Sequence, residues 1–313
     1  MDIPSAFMQA DIDEVVHVKF KGTMAELLVK LDPNNYEKFI EMENGTMLLY
    51  VVLKKALYGT LRAALLFWKK LTTKLKEWDF KLNPYDFCVM NKTINGKQCT
   101  VLWHVENLKI SHVDHNVVTD MISQLEAEFG MEAPLTIMRG KIHDYLGMVL
   151  DCTIDGKVQI KMNKYVARVL EEAPLDMKEE SATPAAAHLF EVNQTNATLL
   201  DAETADEFHH IVAKLLFLCK QAQPDIQTSV SFLCTQVKAP DTDDYKKLAQ
   251  VICYLRATAD MPLTLEAENL QIVKWWVDAA FAVHPDMKSH TGGVLLLGCG
   301  AVYSTSTCQK LNT

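Results

Sequence analysis

Residues 88–114 read CVMNKTINGKQCTVLWHVENLKISHVD. Two turns are written into them. Asn95-Gly96 stands between two apolar runs, and Asn-Gly is the dipeptide favoured in two-residue hairpin turns because both residues accept a positive φ. Further on, His104-Val105-Glu106-Asn107 is flanked by VLW and LKI, the pattern of a second tight hairpin tip. Three consecutive antiparallel strands are therefore expected, with a carboxylate and an amide at the second tip. Taken alone, Glu106-Asn107 is a turn, and Asp2, near the other end of this region, is a terminal acid.

Helices flank the strands. From Arg62 to Trp78 the apolar residues fall at 65, 66, 67, 68, 71, 75 and 78, a helical period. Residues 115–129 carry Val117, Val118, Met121, Ile122, Leu125 and Phe129 on one face. Residues 1–60 read as strands and turns: DIPSAFMQADI, then an alternating VVHVKF, then MLLYVVLKKALYG. Beyond the second helix, strands are expected around Tyr145–Cys152 and Val158–Ile160, flanking an Asp155-Gly156 turn, followed by a helix over 163–172. Residues 173–203, polar and rich in Ala and Thr, read as a linker. Three helical patterns run to Thr258, and the last stretch turns to period-two strands, IVKWWVDAAFAV, GGVLLLG and AVYSTST. The expected class is α+β.

Composition narrows the function. The chain has 313 residues, 49% hydrophobic and 23% charged, with a net charge of −9. That apolar fraction excludes global disorder. No apolar run approaches the roughly 20 residues of a membrane span, and MDIPSAFMQADIDE carries acids where a signal peptide carries bases. An intracellular chain is expected. The eight cysteines lie at 88, 99, 152, 219, 234, 253, 299 and 308 without a CxxC pair, so reduced structural thiols are expected. His104, His112 and His115 lack the partners of a zinc site. Arg occurs only at 62, 139, 168 and 256, and the acidic balance weighs against a strong polynucleotide binder.

A series of segments, in order, resembles the polymerase region of copia-type (Ty/copia) long-terminal-repeat retrotransposons. MDIPSAFMQADIDE resembles that family's first polymerase motif, LKKALYGTLRAALLFW its substrate-binding segment, and TVLWHVENLKISHVD the motif that usually reads Tyr/His-Val-Asp-Asp. YLGMVLD, AKLLFLCKQAQPDIQTSVSFL and DYKKLAQVICYLRAT resemble the thumb-to-connection region. WWVDAAFAVHPDMKSHTGGVLLLGCGAVYSTSTCQKLNT resembles the start of an RNase H domain.

The resemblance implies a reverse transcriptase of right-hand shape. It would comprise a palm and thumb over 1–172, the linker 173–203, a helical connection over 204–268, and a partial RNase H-like β-meander over 269–313. It implies RNA-directed DNA polymerisation with Mg²⁺ (Mn²⁺ as the substitute), an RNA/DNA primer-template and deoxynucleoside triphosphates, in cytoplasmic particles and the nucleus. By position, Asp2, Glu106 and Asn107 take the catalytic places, with Asp2 and Glu106 as metal ligands and the Ile3 carbonyl beside them. Phe7, Tyr58 and Gly59 form the nucleotide pocket, with Phe7 excluding a 2′-hydroxyl. Asp278 matches the first RNase H aspartate.

Two Mg²⁺ ions about 3.5–4 Å apart need paired carboxylates close to the backbone. The family's Asp-Asp is Glu106-Asn107 here. Glu adds a methylene, and a misplacement of about 1 Å costs around a hundredfold in rate. Asn loses the charge. Impaired catalysis is therefore expected, and the alternative function is a non-catalytic nucleic-acid- or protein-binding relic of the same fold. Met1 adjoins Asp2, so the basic fingers segment preceding that motif is expected to be incomplete, leaving Lys19, Lys21, Lys30, Lys54 and Lys55 as basic candidates. The RNase H-like meander is expected to lack its later acids, to leave Val277, Leu295 and Leu297 on an unpacked face, and to present AVYSTST as an open edge prone to local disorder or aggregation unless helices cover it. Asp278 is expected to pair with Lys274 or Lys288.

Overall fold

The computed structural model describes residues 1–174, 177–192 and 197–310. They form two compact units, residues 1–138 and 139–313.

In chain order the first unit comprises β1 (His17–Lys21), α1 (Thr23–Leu31), α2 (Pro33–Tyr36), β2 (Ile40–Glu43), β3 (Thr46–Val52), α3 (Ala63–Glu77), β4 (Lys81–Leu82), β5 (Val89–Ile94), β6 (Lys97–His104), β7 (Asn107–Ser111) and α4 (His115–Phe129). Strands β4 to β7 make an antiparallel sheet in sequence order. Asn95 and Gly96 turn β5 into β6 with φ of 52° and 72°, the positive pair that this hairpin turn requires. Along β6 the buried side chains alternate as Cys99, Val101 and Trp103, so one face of the sheet is committed to the core. That core takes Phe67, Leu71 and Leu75 from α3 and Val117, Met121, Leu125 and Phe129 from α4. Phe67 and Phe129 meet edge to face at 6.1 Å between centroids. The Asp114 carboxylate caps α4 by accepting the Asn116 amide at 2.9 Å, which fixes where the helix begins.

Residues 1–60 depart from the expected strands and turns. DIPSAFMQADI makes single-residue bridges at Asp2 and Asp11 and a 3₁₀ turn over Ala6–Gln9. TMAELLVKL is helix α1, its residues being strong helix formers whose Ala25 is fully buried. The expected strands over VVHVKF and MLLYVV are present as β1 and β3, in a separate sheet of order β1-β3-β2.

The second unit comprises β8 (Ile142–Tyr145), β9 (Met148–Asp151), β10 (Lys157–Lys161), α5 (Asn163–Glu172), α6 (Ala202–Gln221), α7 (Gln227–Gln236), α8 (Thr242–Ala257), β11 (Leu263–Ala267), β12 (Lys274–Ala280), β13 (His290–Leu296), β14 (Gly298–Cys299) and β15 (Tyr303–Cys308). Helices α5 to α8 share one core, centred on Phe208, Leu215, Phe232, Leu248 and Leu255. The expected single strand over 145–152 begins instead inside a hairpin, turned at Leu146-Gly147, both with positive φ.

The domain boundaries expected at 172/173 and 203/204 do not coincide with these units. Strands from three separate places make one sheet, β14-β11-β10-β9-β8, which ties residues 142–161 to residues 263–267 and 298–299. The expected helical connection therefore contains a strand, β11. Nor is 173–203 a free linker. Ala173, Met177 and Leu189 are buried in the helical core, and Phe190 packs against it. Residues 175–176 and 193–196 of that stretch lie outside the described residues.

The three C-terminal strands form the expected antiparallel meander, β12-β13-β15. Its AVYSTST edge is not open. From α7, Gln227 Nε2 donates to the Ser304 carbonyl at 3.3 Å and Ser231 Oγ to the Ser306 carbonyl at 2.9 Å. The exposed edge is β12, all seven of whose residues face solvent. Val277 lies there, while Leu295 and Leu297 are half-buried. Among the described residues no helix is long and apolar enough to cross a membrane.

Candidate active site

The second hairpin tip closes as the sequence suggests, with His104 opposite Asn107 and Val105-Glu106 between them. Val105 takes φ of 55°, a left-handed conformation that costs a β-branched residue about 1–3 kcal/mol. The surrounding backbone bonds hold it. The Ile3 amide donates to the Glu106 carbonyl at 3.1 Å, and the Leu108 amide to the Met1 carbonyl at 2.8 Å. On the other side, Asp2 exchanges both backbone bonds with Thr136, at 2.8 and 3.1 Å. Asp2 thus sits as a one-residue strand between the hairpin and Thr136, bridged to Asn107. Ile3 is completely buried and anchors the segment in the core.

These contacts bring Asp2, Glu106 and Asn107 together across more than a hundred residues of sequence. Glu106 carries a second mark. Its Oε2 is buried, and no described residue gives it a hydrogen bond. A carboxylate oxygen left in that state costs several kcal/mol unless something positive meets it.

Phe7 and Tyr58 stack beside this cluster, ring centroids 4.3 Å apart and planes tilted by 31°. The Tyr58 phenol is held above the usual tyrosine range, first by burial of its hydroxyl region and then by the Glu106 carboxylate. Phenol and carboxylate therefore share one neighbourhood. Gly59 follows with φ of 90° in an open turn. The Phe7 segment is held from beneath by residues the motif reading did not single out. The Gln9 amide donates to the Phe129 carbonyl at 3.0 Å, and Lys70 Nζ to the Gln9 carbonyl at 2.7 Å. Thr136 likewise carries no sequence signal. It lies in MEAPLTIM, a stretch with no period and no turn dipeptide, and only its backbone acts.

The basic candidates are largely engaged with acids or placed elsewhere. Lys55 pairs with Asp11 at 2.7 Å and holds that carboxyl below the usual range. Lys19 pairs with Glu43 at 3.4 Å and lies over the Tyr50 ring. Lys21 ends β1 and Lys30 stands in the last turn of α1. Lys54 enters through its backbone carbonyl, which accepts from the Ile12 amide.

Asp278 belongs to the other unit. It lies on exposed β12, accepts the Ala279 amide at 2.8 Å, and lines a cavity of about 450 Å³ with Trp276, Gln227 and Ser306. Its expected lysine partners are used elsewhere. Lys274 pairs with Glu268 at 2.9 Å, and Lys288 with Asp286 in the turn after β12.

The chemistry of the donors suits one hard divalent cation. Two carboxylates on adjacent backbone segments, one with an orphaned buried oxygen, are oxygen ligands of the kind Mg²⁺ takes. Asn107 contributes only a neutral amide, and among the described residues no three His, Cys, Asp or Glu side chains converge.

Comparison with known proteins assigns the chain to a family. The family model described as "Reverse transcriptase (RNA-dependent DNA polymerase)" matches residues 1–187. The chain is 22% identical over 309 residues to the putative transposon Ty5-1 protein YCL074W of Saccharomyces cerevisiae, covering 98% of this chain and 92% of that one. It is 22% identical over 316 residues to the retrovirus-related Pol polyprotein from transposon TNT 1-94 of Nicotiana tabacum, covering 99% of this chain but only 22% of the polyprotein. Among solved structures it is similar to a foamy viral protease-reverse transcriptase in complex with an RNA/DNA hybrid. That match has a TM-score of 0.43 and 10% identity, over 99% of this chain and 36% of that one. With the family model spanning more than half of it, the chain belongs to the reverse transcriptases, as a Ty/copia-type retrotransposon polymerase region.

Proposed function

We propose that residues 1–138 carry the palm site of an RNA-directed DNA polymerase whose templated nucleotidyl transfer is impaired at positions 106 and 107. The observation behind this reading is the backbone bridging that sets Asp2 against the Glu106-Asn107 tip, with the Phe7–Tyr58 stack beside it.

In this reading Asp2 and Glu106 hold the divalent cation that the family generally uses, with the Ile3 carbonyl beside them. Bound there, such a cation would supply positive charge to the reacting oxygens of nucleotidyl transfer. Phe7 and Tyr58 supply an apolar wall for the sugar of the incoming deoxynucleotide, and Phe7 excludes a 2′-hydroxyl. Asn107 withholds the charge that a second cation requires, and Glu106 carries its oxygens a methylene further from the backbone than Asp does. A displacement of about 1 Å already costs around a hundredfold. The partners are an RNA/DNA primer-template and deoxynucleoside triphosphates.

The test is metal-dependent primer extension on an RNA template, comparing the chain with its Glu106→Asp/Asn107→Asp revertant. No extension above background by the natural chain, and a gain of at least about a hundredfold in the revertant, is the expected result. Equal extension by both would refute the impairment. Silence in both, with circular dichroism and melting unchanged, would refute the attribution of the impairment to positions 106 and 107.

A further inference from the structure

The second unit holds a run of buried polar groups that polymerase chemistry leaves unused. His284, in the turn after β12, and His290, the first residue of β13, are 7% and 5% exposed. Nε2 of His284 and Nδ1 of His290 lie 3.0 Å apart. Across the second ring, His290 Nε2 is 2.7 Å from Ser306 Oγ on β15. Ser306 Oγ donates in turn to Thr228 Oγ1 on α7 at 3.2 Å.

Counting protons gives the run a direction. With Ser306 as the donor to Thr228, its one hydroxyl proton is used and it accepts from His290. His290 therefore carries its proton on Nε2 and leaves Nδ1 bare. His284 must then donate from its own Nε2. In this arrangement the two rings are neutral and Ser306 faces a donor rather than a base.

The run joins three elements. Phe190 lies against both imidazoles, at 5.3 and 4.9 Å between centroids, and Phe232 of α7 stacks over His284 at 6.5 Å. With the bonds from Gln227 and Ser231, it docks the meander on α7.

We propose that His284 and His290 form an acid-sensitive latch, whose neutral state docks the β12-β13-β15 sheet on α7 and whose protonation releases it. A proton on His290 Nδ1 would set N–H against N–H across 3.0 Å. A proton on His284 would put a cation between two phenylalanine rings in a buried site. Little nearby charge offsets either. Asp286 and Lys288, in the same turn, neutralise each other. The groups facing from α7 are the neutral Gln227, Thr228 and Ser231, and from β15 the neutral Ser306, with Cys308 opposite His290 in the sheet register. Lys247 of α8 lies over Phe232 and is paired with Asp243. Asp278 lines the adjoining cavity on β12. Burial lowers both imidazoles below the usual histidine range, and His284 lowers His290 further. Because the folded values are depressed, the stabilisation is complete above the ordinary imidazole range and is lost as pH falls through the folded values.

The latch is tested on the full chain by ¹⁵N NMR of the imidazoles together with amide exchange of residues 303–308. At pH 7.5 both rings are expected as Nε2–H tautomers. On acidification to pH 5, the protection of β15 relative to α6 should fall by at least about tenfold. His290→Gln keeps an N–H for Ser306 and an oxygen for His284 but does not titrate, and its acid loss should be several-fold smaller. Independent titration of both rings at the ordinary value, or equal protection of β15 and α6 throughout, would overturn the proposal. The natural chain alone decides these two readouts if the variant does not fold.

Discussion

Asp244 makes the stability of the second unit depend on pH in a calculable way. It stands in the first turn of α8, 3% exposed, and its Oδ2 accepts the Asp241 amide at 3.2 Å while Asp241 caps the Asp244 amide at 2.9 Å. Burial pushes its pKa up to about 6, reinforced by the Asp241 and Asp243 carboxylates and opposed by the Asp241 N–H bond and Lys247. An unfolded aspartate titrates near 3.8. A raised folded value means that the protonated group favours the fold. Its contribution is complete below about pH 3.8 and is lost as pH rises through about 6. Two units at about 1.36 kcal/mol each give roughly 3 kcal/mol. Asp244→Asn keeps an oxygen for the Asp241 amide and abolishes the charge. Urea unfolding of both proteins should therefore diverge with pH, the variant gaining about 2–3 kcal/mol over the natural chain between pH 4 and pH 8. A difference that stays flat across that range, or a variant weaker at pH 8, would show that the anion is the form that caps the helix.

Two further changes probe the same unit. A β-carbon on Gly300, where φ is 80°, would lie 2.0 Å from the Thr264 carbonyl oxygen. Gly300→Ala should accordingly force β14 off β11 and cost about 2–4 kcal/mol in urea unfolding. Cys219 is 1% exposed and its thiol is pushed up to about 12, first by burial, whereas Cys299 is exposed. A thiol reagent at pH 8 should label Cys299 within minutes and Cys219 only on unfolding, as peptide mapping would show.

The parts of the fold legible in the sequence are those with local physical signals. The 115–129 period became α4, the 163–172 reading became α5, and Asn95-Gly96 became a hairpin turn. The juxtaposition of Asp2 with Glu106-Asn107 came from ordered motif resemblance, since no local pattern links residues so far apart. What sequence reading missed depends on tertiary contacts. A polar, Ala/Thr-rich segment reads as a linker because the residues in it that meet the core, among them Ala173, Met177, Leu189 and Phe190, follow no helical or strand period. LTLEA, five residues between a helix and a loop, became β11 because β10 and β14 stand ready to pair with it. TMAELLVKL is short and lies between strands, so its helix was hidden by its neighbours. The histidine run was unreadable for the same reason: its four groups come from α7, a turn and two strands.

The pairing of β10 with β11 also sets the order in which the chain can fold. Lys157 lies opposite Glu266, so the bond closes a loop of about a hundred residues at an entropic cost of about 4 kcal/mol. On a ribosome, β8, β9 and β10 emerge long before their fourth strand and wait with an unpaired edge while α5 to α8 are made. Residues 1–138 face no such delay, because their strands pair with near neighbours except at Asp2. A nascent chain is therefore most exposed to wrong pairing between the synthesis of residues 161 and 263, and a chaperone acting in that interval would help this protein most.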